Sequence, residues 1–323
     1  MSEDENPLTT MTNTLETVIT GIPAPIRKNV IKAFGQLCTA TVDIPVAWLE
    51  GKAEVIRATH KARVNIINTT GEITATKIDV PEIYSQIAAE KFASKIIREQ
   101  INLDKIVSKT AGELSNYTED NNTNKIDEII SDEWLNEFEE VAKLKTNEDM
   151  RILFSKILSN EIKKPGTFSV KTIKTVSQLD PNTARFFNTL CSLTCFVKSD
   201  DVIVVAMVPN VNNLPHNNRH LVDYGLNHHA MTILQEYGLV RATTSSYQIG
   251  LLINSSTPVN FGNRTYYLRS NNEPNHYELT KLDGFLLTQS GLELLSVLTI
   301  DNNDLFIASV NEWLSKKNIQ FFE

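Results

Sequence analysis

The chain has 323 residues, of which 41% are hydrophobic and 22% charged, enough for two or three domains with sizeable cores. A formal net charge of −8 excludes a protein that works mainly by neutralising phosphates over its whole surface, though not one with a local basic patch. Three cysteines, Cys38, Cys191 and Cys195, are too few and too odd in number for a disulfide framework, and point to a reducing compartment.

Residues 1–20 read as a flexible acidic tail. They contain no basic segment followed by an apolar one, so they are not a secretory signal. A long-helix region is expected over 21–114. Ile26, Val30, Ala33, Phe34 and Leu37 recur every three or four residues, one face of a helix. Pro45 fits the first turn of a second helix, capped by Asp43 or Ile44, with Val46, Leu49, Ala53, Ile56 and Val64 inside. Gly21 to Arg63 holds seven Lys/Arg against three Asp/Glu. Arg27, Lys28 and Lys32 are therefore candidates for contact with an anionic surface, set against the plainer reading of a solvated helix face. The nearest approach to a membrane span, Ala33–Val42, is ten residues, well short of the roughly 18 required. The expected location is cytoplasmic, with a peripheral step at the inner membrane through the basic helices.

Val80 to Leu114 is one long helix or two. Ile83, Ile87, Ala88, Phe92, Ile96, Ile97, Ile101, Ile106 and Val107 keep near-helical spacing, and that length suggests a bundle rib or an intermolecular coiled coil. Homo-oligomerisation is expected on this ground. The polar run 115–125 is a linker.

A central helical domain is expected over 126–200. Trp134, Phe138 and Val141 mark one amphipathic helix, with Ser131 as its cap. Met150, Leu153, Phe154, Ile157 and Leu158 mark the next, which starts at Thr146 or Asn147. Pro165 and Gly166 end it. Thr167 or Ser169 caps a third helix with Val170, Ile173, Val176 and Leu179 inside, and Asp180–Pro181 opens a fourth with Phe186, Phe187, Leu190 and Leu193 inside. This accounts for the stretch "NEIKKPGTFSVKTIKTVSQL" as a helix corner with its caps.

The remainder, 201–323, is expected to be an α+β module. "DVIVVAMV", "SYQIGLLI" and "RTYYLRS" are strand-like, a helix ends at Gly238, Thr288 caps another, and a helix and terminal strand close the sequence. The order helix, Gly-Leu-Val, strands, Leu-Thr-x-x-Gly, helix resembles winged-helix-like domains. The fold class is thus mainly α, with N-terminal long helices, a central bundle and a C-terminal winged-helix-like module.

Phosphate-cradling, dinucleotide, zinc-protease and nucleophile-elbow motifs are all missing. Neither catalytic residues nor a cofactor are assigned. Cys191/Cys195 and His216/His220 form two pairs spaced by four, a weak zinc pattern. The cysteines also sit on the apolar side of their expected helix, where free thiols are commonly buried as small hydrophobes. His228 and His229 are adjacent, so they point to different helix faces. Glu133, Glu137 and Glu140 read as solvated charge. A groove-reading DNA helix would need cations, and His228–Glu236 has no Lys or Arg; the following hairpin adds only Arg264 and Arg269.

The motifs "REQINLDKI", "DEWLNEFEEVAKLKTNEDMRILFSKILSNEIKKPGTFSVKTIKTVSQLD" and "FLLTQSG" resemble an uncharacterised prokaryotic family, domain of unknown function 2806. In the helix-corner region they are similar to abortive-infection alpha proteins. The resemblance covers roughly residues 20 to 320 and is most specific over 98–190. Its carried positions are Gln100, Asn102, Trp134, Phe138, Met150, Leu158, Glu161, Pro165, Gly166, Phe168, Ser169, Thr288 and Gly291, with Phe154 where a tryptophan is expected. The likeness implies no established activity and suggests antiviral defence. The resulting expectation is a non-enzymatic, homo-oligomeric protein that senses or relays infection through protein contacts, with Gln100, Asn102, Glu161 and Ser169 as interaction candidates. The alternatives are a DNA-binding regulator using the C-terminal module, or a membrane-acting effector using the basic helices.

Overall fold

A computed structural model describes residues 22–38, 82–115, 128–199, 202–211, 219–241, 245–251, 256–270 and 278–323. The acidic tail, the Pro45 helix with its apolar set, and most of the 115–125 linker lie outside the described residues. The chain divides into two compact units after Ile173.

The described residues of the first unit are helical. Helix α1 (Ala24–Leu37) buries Ile26, Val30, Ala33, Phe34 and Leu37, the set its spacing predicts. Helix α2 (Glu82–Ser115) is one uninterrupted helix of 34 residues. It packs along α4 (Glu148–Lys163) and also touches α1 and α3 (Asp132–Ala142). Trp134 stacks on Phe138 at 5.1 Å, and Phe138 meets Phe154 at 5.6 Å, so the aromatic positions of α3 and α4 close the core. Burial of each ring contributes roughly 1.5–3 kcal/mol. Phe154 fills the core position expected of a larger ring, and it lies under the Lys145 ammonium at 5.8 Å.

Two expectations fail in this unit. Ser131 holds the N-cap position of α3 with extended backbone, but its side chain makes no capping hydrogen bond; Asp132 and Glu133 in the first turn complement the helix dipole instead. Of the apolar series of α2, Ile106 and Val107 are buried, together with Leu103, Ala111 and Leu114, which the series did not include. Ile87, Phe92 and Ile101 are 46%, 52% and 47% exposed. Helical spacing reports amphipathicity but not whether a neighbour is present to cover the stripe.

Helix α5 (Val170–Gln178) spans the division between the units. The second unit holds α6 (Pro181–Ser192), β1 (Cys195–Ser199), β2 (Val202–Pro209), α7 (Arg219–Val222), α8 (His228–Glu236), β3 (Ser245–Leu251), β4 (Thr257–Phe261), β5 (Arg264–Ser270), β6 (Glu278–Leu286), α9 (Gln289–Leu295), α10 (Asp304–Ser315) and β7 (Ile319–Phe322). All seven strands join one antiparallel sheet in the order β3-β6-β2-β1-β4-β5-β7. Helix α9 packs on β2, α10 on β7, and α8 on α6. The covered face carries an aromatic cluster in which Tyr266 stacks on Phe321 at 4.6 Å and meets Phe261 edge-on at 6.0 Å.

The expected side-chain caps at Asn147, Asp180 and Thr288 form, and Asn227 and Asn303 cap two further helices. Asn147, Asp180, Asn227, Thr288 and Asn303 each accept a backbone N–H from the first turn of the helix they precede. Gly291 is required by close approach: a Cβ there would collide with the Leu239 carbonyl oxygen. Strands β1 and β4 were not expected. Cys195 consequently lies on β1, not on the helix that carries Cys191. Among the described residues no helix is long and apolar enough to cross a membrane.

Candidate functional site

The corner after α4 is built by Glu161, which is only 2% exposed. Pro165 blocks continuation of the helix, and Gly166 turns the chain at φ 81°, a left-handed angle that favours glycine. The turn leaves backbone donors facing inward. One Glu161 carboxylate oxygen accepts from the Gly166 N–H at 2.7 Å, and the other from the Phe168 N–H at 2.9 Å. Ser169 then caps α5, its hydroxyl accepting from the Thr172 N–H at 3.2 Å and sharing a hydrogen bond with the Thr172 hydroxyl at 3.0 Å. Next to Glu161, burial pulls the Lys163 ammonium below its ordinary pKa, with the Glu113 charge opposing the shift.

Gln100 and Asn102 act at other helix ends. The Gln100 amide donates to the Leu37 carbonyl, the last residue of α1, and to Asp104, both at 2.9 Å. The Asn102 amide donates to the Lys143 carbonyl just after α3 at 2.8 Å, and its oxygen accepts from the Arg151 guanidinium at 2.8 Å. Arg151 also donates to the Lys145 carbonyl at 3.1 Å. Asn102 and Arg151 together hold the turn between α3 and α4. The four interaction candidates therefore do not converge as one set: each engages a backbone group at or beside a helix terminus, where groups otherwise lack partners.

Sequence reasoning missed Asn29, which does the same work. It is buried. Its oxygen accepts from the Ile130 N–H at 3.1 Å, and its amide donates to the Glu128 and Ile162 carbonyls at 3.1 and 3.2 Å. The available signal was a polar residue three positions after Ile26, on the buried stripe of α1. Arg27 donates to the Ile22 carbonyl at 2.9 Å, and Lys32 reaches both the Ile130 carbonyl and Asp132 at 2.6 Å. Lys28 is exposed.

The zinc pattern gains no support. His216 lies outside the described residues, as does the side chain of His220. Cys191 and Cys195 are buried thiols; burial raises both, Cys195 to about 12, so neither is a ready thiolate. Among the described residues no cluster of three metal-ligating side chains occurs. One open cavity of about 220 Å³ is lined by Asp223, Tyr224, Ser309, Glu312, Trp313 and Lys316. Glu312 pairs with Lys316 at 2.7 Å, and the Tyr224 hydroxyl meets the Ser309 hydroxyl at 3.3 Å.

A family sequence profile described as protein of unknown function, DUF2806, matches residues 86–311. The chain belongs to that family. No curated protein and no solved structure matches it. In this DUF2806 protein the matched span begins inside α2 and ends inside α10, so it includes the α3–α4 turn, the Glu161 corner and the Thr288 cap. Asn102, Glu161, Ser169 and Thr288 engage backbone groups within that span, Gln100 reaches the Leu37 carbonyl outside it, and Gly291 allows a close backbone approach.

Proposed function

We propose that this protein works without catalysis, through protein contacts, and that it assembles with a second copy of itself along the first half of α2. The observation that carries this reading is the exposure of Ile87, Phe92 and Ile101 on a helix that is firmly packed beyond them, from Asn102 to Leu114. Residues 82–101 extend for roughly 30 Å at the helical rise. That length suits a helix pair between subunits better than a small-molecule site. The polar motif residues support a scaffold role, since their hydrogen bonds go to helix ends.

The biological setting we infer is antiviral defence of the abortive-infection kind, by the likeness in the corner region. We read the stretch from α8 to α9, with β3 to β6 between them, as winged-helix-like by its sequence order. We read it as a docking element, because α8 has no Lys or Arg with which to read a groove. The cytoplasm is the proposed compartment, and a peripheral membrane step would fall to Lys28 and to cations outside the described residues.

Light scattering after size exclusion tests the assembly. Wild type should run above monomer mass, and a triple variant with Ile87, Phe92 and Ile101 changed to Ser should run as monomer with an unchanged melting temperature. A wild-type monomer at all concentrations refutes the assembly. Phage challenge of cells with and without the gene tests the setting, and equal plaquing across a broad panel refutes it.

A further inference from the structure

The face opposite the aromatic cluster is buried at Phe196, Ala206, Val208 and Phe285 but exposed at its β5–β7 end, which carries a second kind of surface. Along β5, Tyr266 and Leu268 are buried while Thr265, Tyr267 and Arg269 point to the other side. Register extends that side across the neighbouring strands: Tyr267 pairs with Phe322 and Pro258, Arg269 with Gln320, Thr265 with Asn260, and Asn260 with Phe196. Tyr267 and Phe322 are 37% and 36% exposed, with ring centroids 5.9 Å apart and planes within 25° of parallel. The Arg269 guanidinium stands over the Phe322 ring at 5.3 Å, and the Lys198 ammonium over Phe196 at 5.7 Å.

We propose that this face binds single-stranded nucleic acid, with bases stacking on Tyr267 and Phe322 and the phosphates meeting Arg269 and Lys198. An exposed cross-strand ring pair alone could merely stabilise the sheet. Charge separates the two readings. The protein is acidic overall at −8, yet over β1, β4, β5 and β7 the positions on this face hold two cations and no Asp or Glu; the same face meets an acid, Asp283, only on β6, on the far side of β1 and β2. Near-parallel exposed rings flanked by cations are what unpaired bases require, because every base offers a π-face and every linkage a negative charge. A duplex keeps its bases stacked internally and cannot use the rings. Glu323, the residue after Phe322, is the acid closest in sequence, and it should weaken binding.

The test uses the full-length protein and fluorescence anisotropy with labelled oligo-dT and oligo-U of about twelve nucleotides, against a duplex of equal length. Both single strands should bind, and the duplex should bind at least about tenfold more weakly. Tyr267→Ala and Phe322→Ala should each weaken single-strand binding about tenfold, within the range of one lost base stack. Tyr267→Phe should keep wild-type affinity. Arg269→Gln should reduce the salt slope by about 0.7, the single-strand value for one phosphate contact, and Glu323→Gln should tighten binding. Because both rings are exposed, melting temperatures should stay near wild type, which separates lost binding from lost fold. No binding at low salt overturns the proposal. So does binding that both alanine variants leave intact, or a self-association that those variants abolish in the absence of any nucleic-acid binding.

Discussion

Replacing Glu161 with Ala takes away the shared acceptor of two backbone donors at the corner after α4. The two losses are unequal. The Phe168 N–H is buried and would be left without this acceptor, whereas Gly166 is exposed and its N–H can return to water. An unmet buried donor costs about 1–3 kcal/mol, so the corner should lose roughly 2–3 kcal/mol once the missing side-chain volume is included. Glu161→Gln keeps one oxygen acceptor and should lose about half as much. Hydrogen exchange by mass spectrometry on the full chain reads this locally. Amides over residues 164–170 should exchange about 30-fold faster in Glu161→Ala, the factor corresponding to roughly 2 kcal/mol. Exchange unchanged within about threefold would refute the clamp. A Glu161→Gln protein that stays as stable as wild type but loses protection against phage would instead mark Glu161 as a working group.

Gly291→Ala should destabilise the second unit by about 1–3 kcal/mol in urea unfolding, since the added methyl meets the Leu239 carbonyl. Thr288→Ala should lower stability by about 1–2 kcal/mol, because its hydroxyl both caps α9 at the Gly291 N–H and donates to the Gly238 carbonyl. The three buried thiols should resist a thiol reagent at about pH 8 in the native protein and all react in denaturant, because burial raises each of them. The Asp180 carboxyl is held below its ordinary value, first by the hydrogen bond from the Thr183 hydroxyl. Its stabilising contribution is therefore present above the unfolded pKa and is lost as pH falls through the folded one; Asp180→Asn should flatten that acid limb in a pH series of melting temperatures.

The helices were legible because their information is local. The stripe Met150, Leu153, Phe154, Ile157, Leu158 identifies α4, and Asn147, Asp180 and Thr288 mark their helix starts within three residues of the groups they bind. Strands β1 and β4 were not legible. Each has five residues, β4 contains Pro258, and they pair with each other across more than sixty positions of sequence. No short window contains that relationship. The candidate site divides in the same way. The corner could be read from Pro165, Gly166 and Ser169, but the Asn29 clamp depends on Glu128, Ile130 and Ile162, about a hundred or more residues away. The exposed ring pair escaped because Phe322 meets Tyr267 only through the β5–β7 register.

The interleaved strand order bears on how the chain is made. The β1–β2 hairpin lies in the middle of the sheet, and its two outer edges are filled by β4 and β6, which are synthesised later. During translation the hairpin leaves the ribosome with both edges bare, and the nascent chain must keep them from strangers until Leu286 has emerged. The helical unit before Ile173 can settle in the meantime, whereas the sheet is complete only when Phe322 pairs with Tyr267.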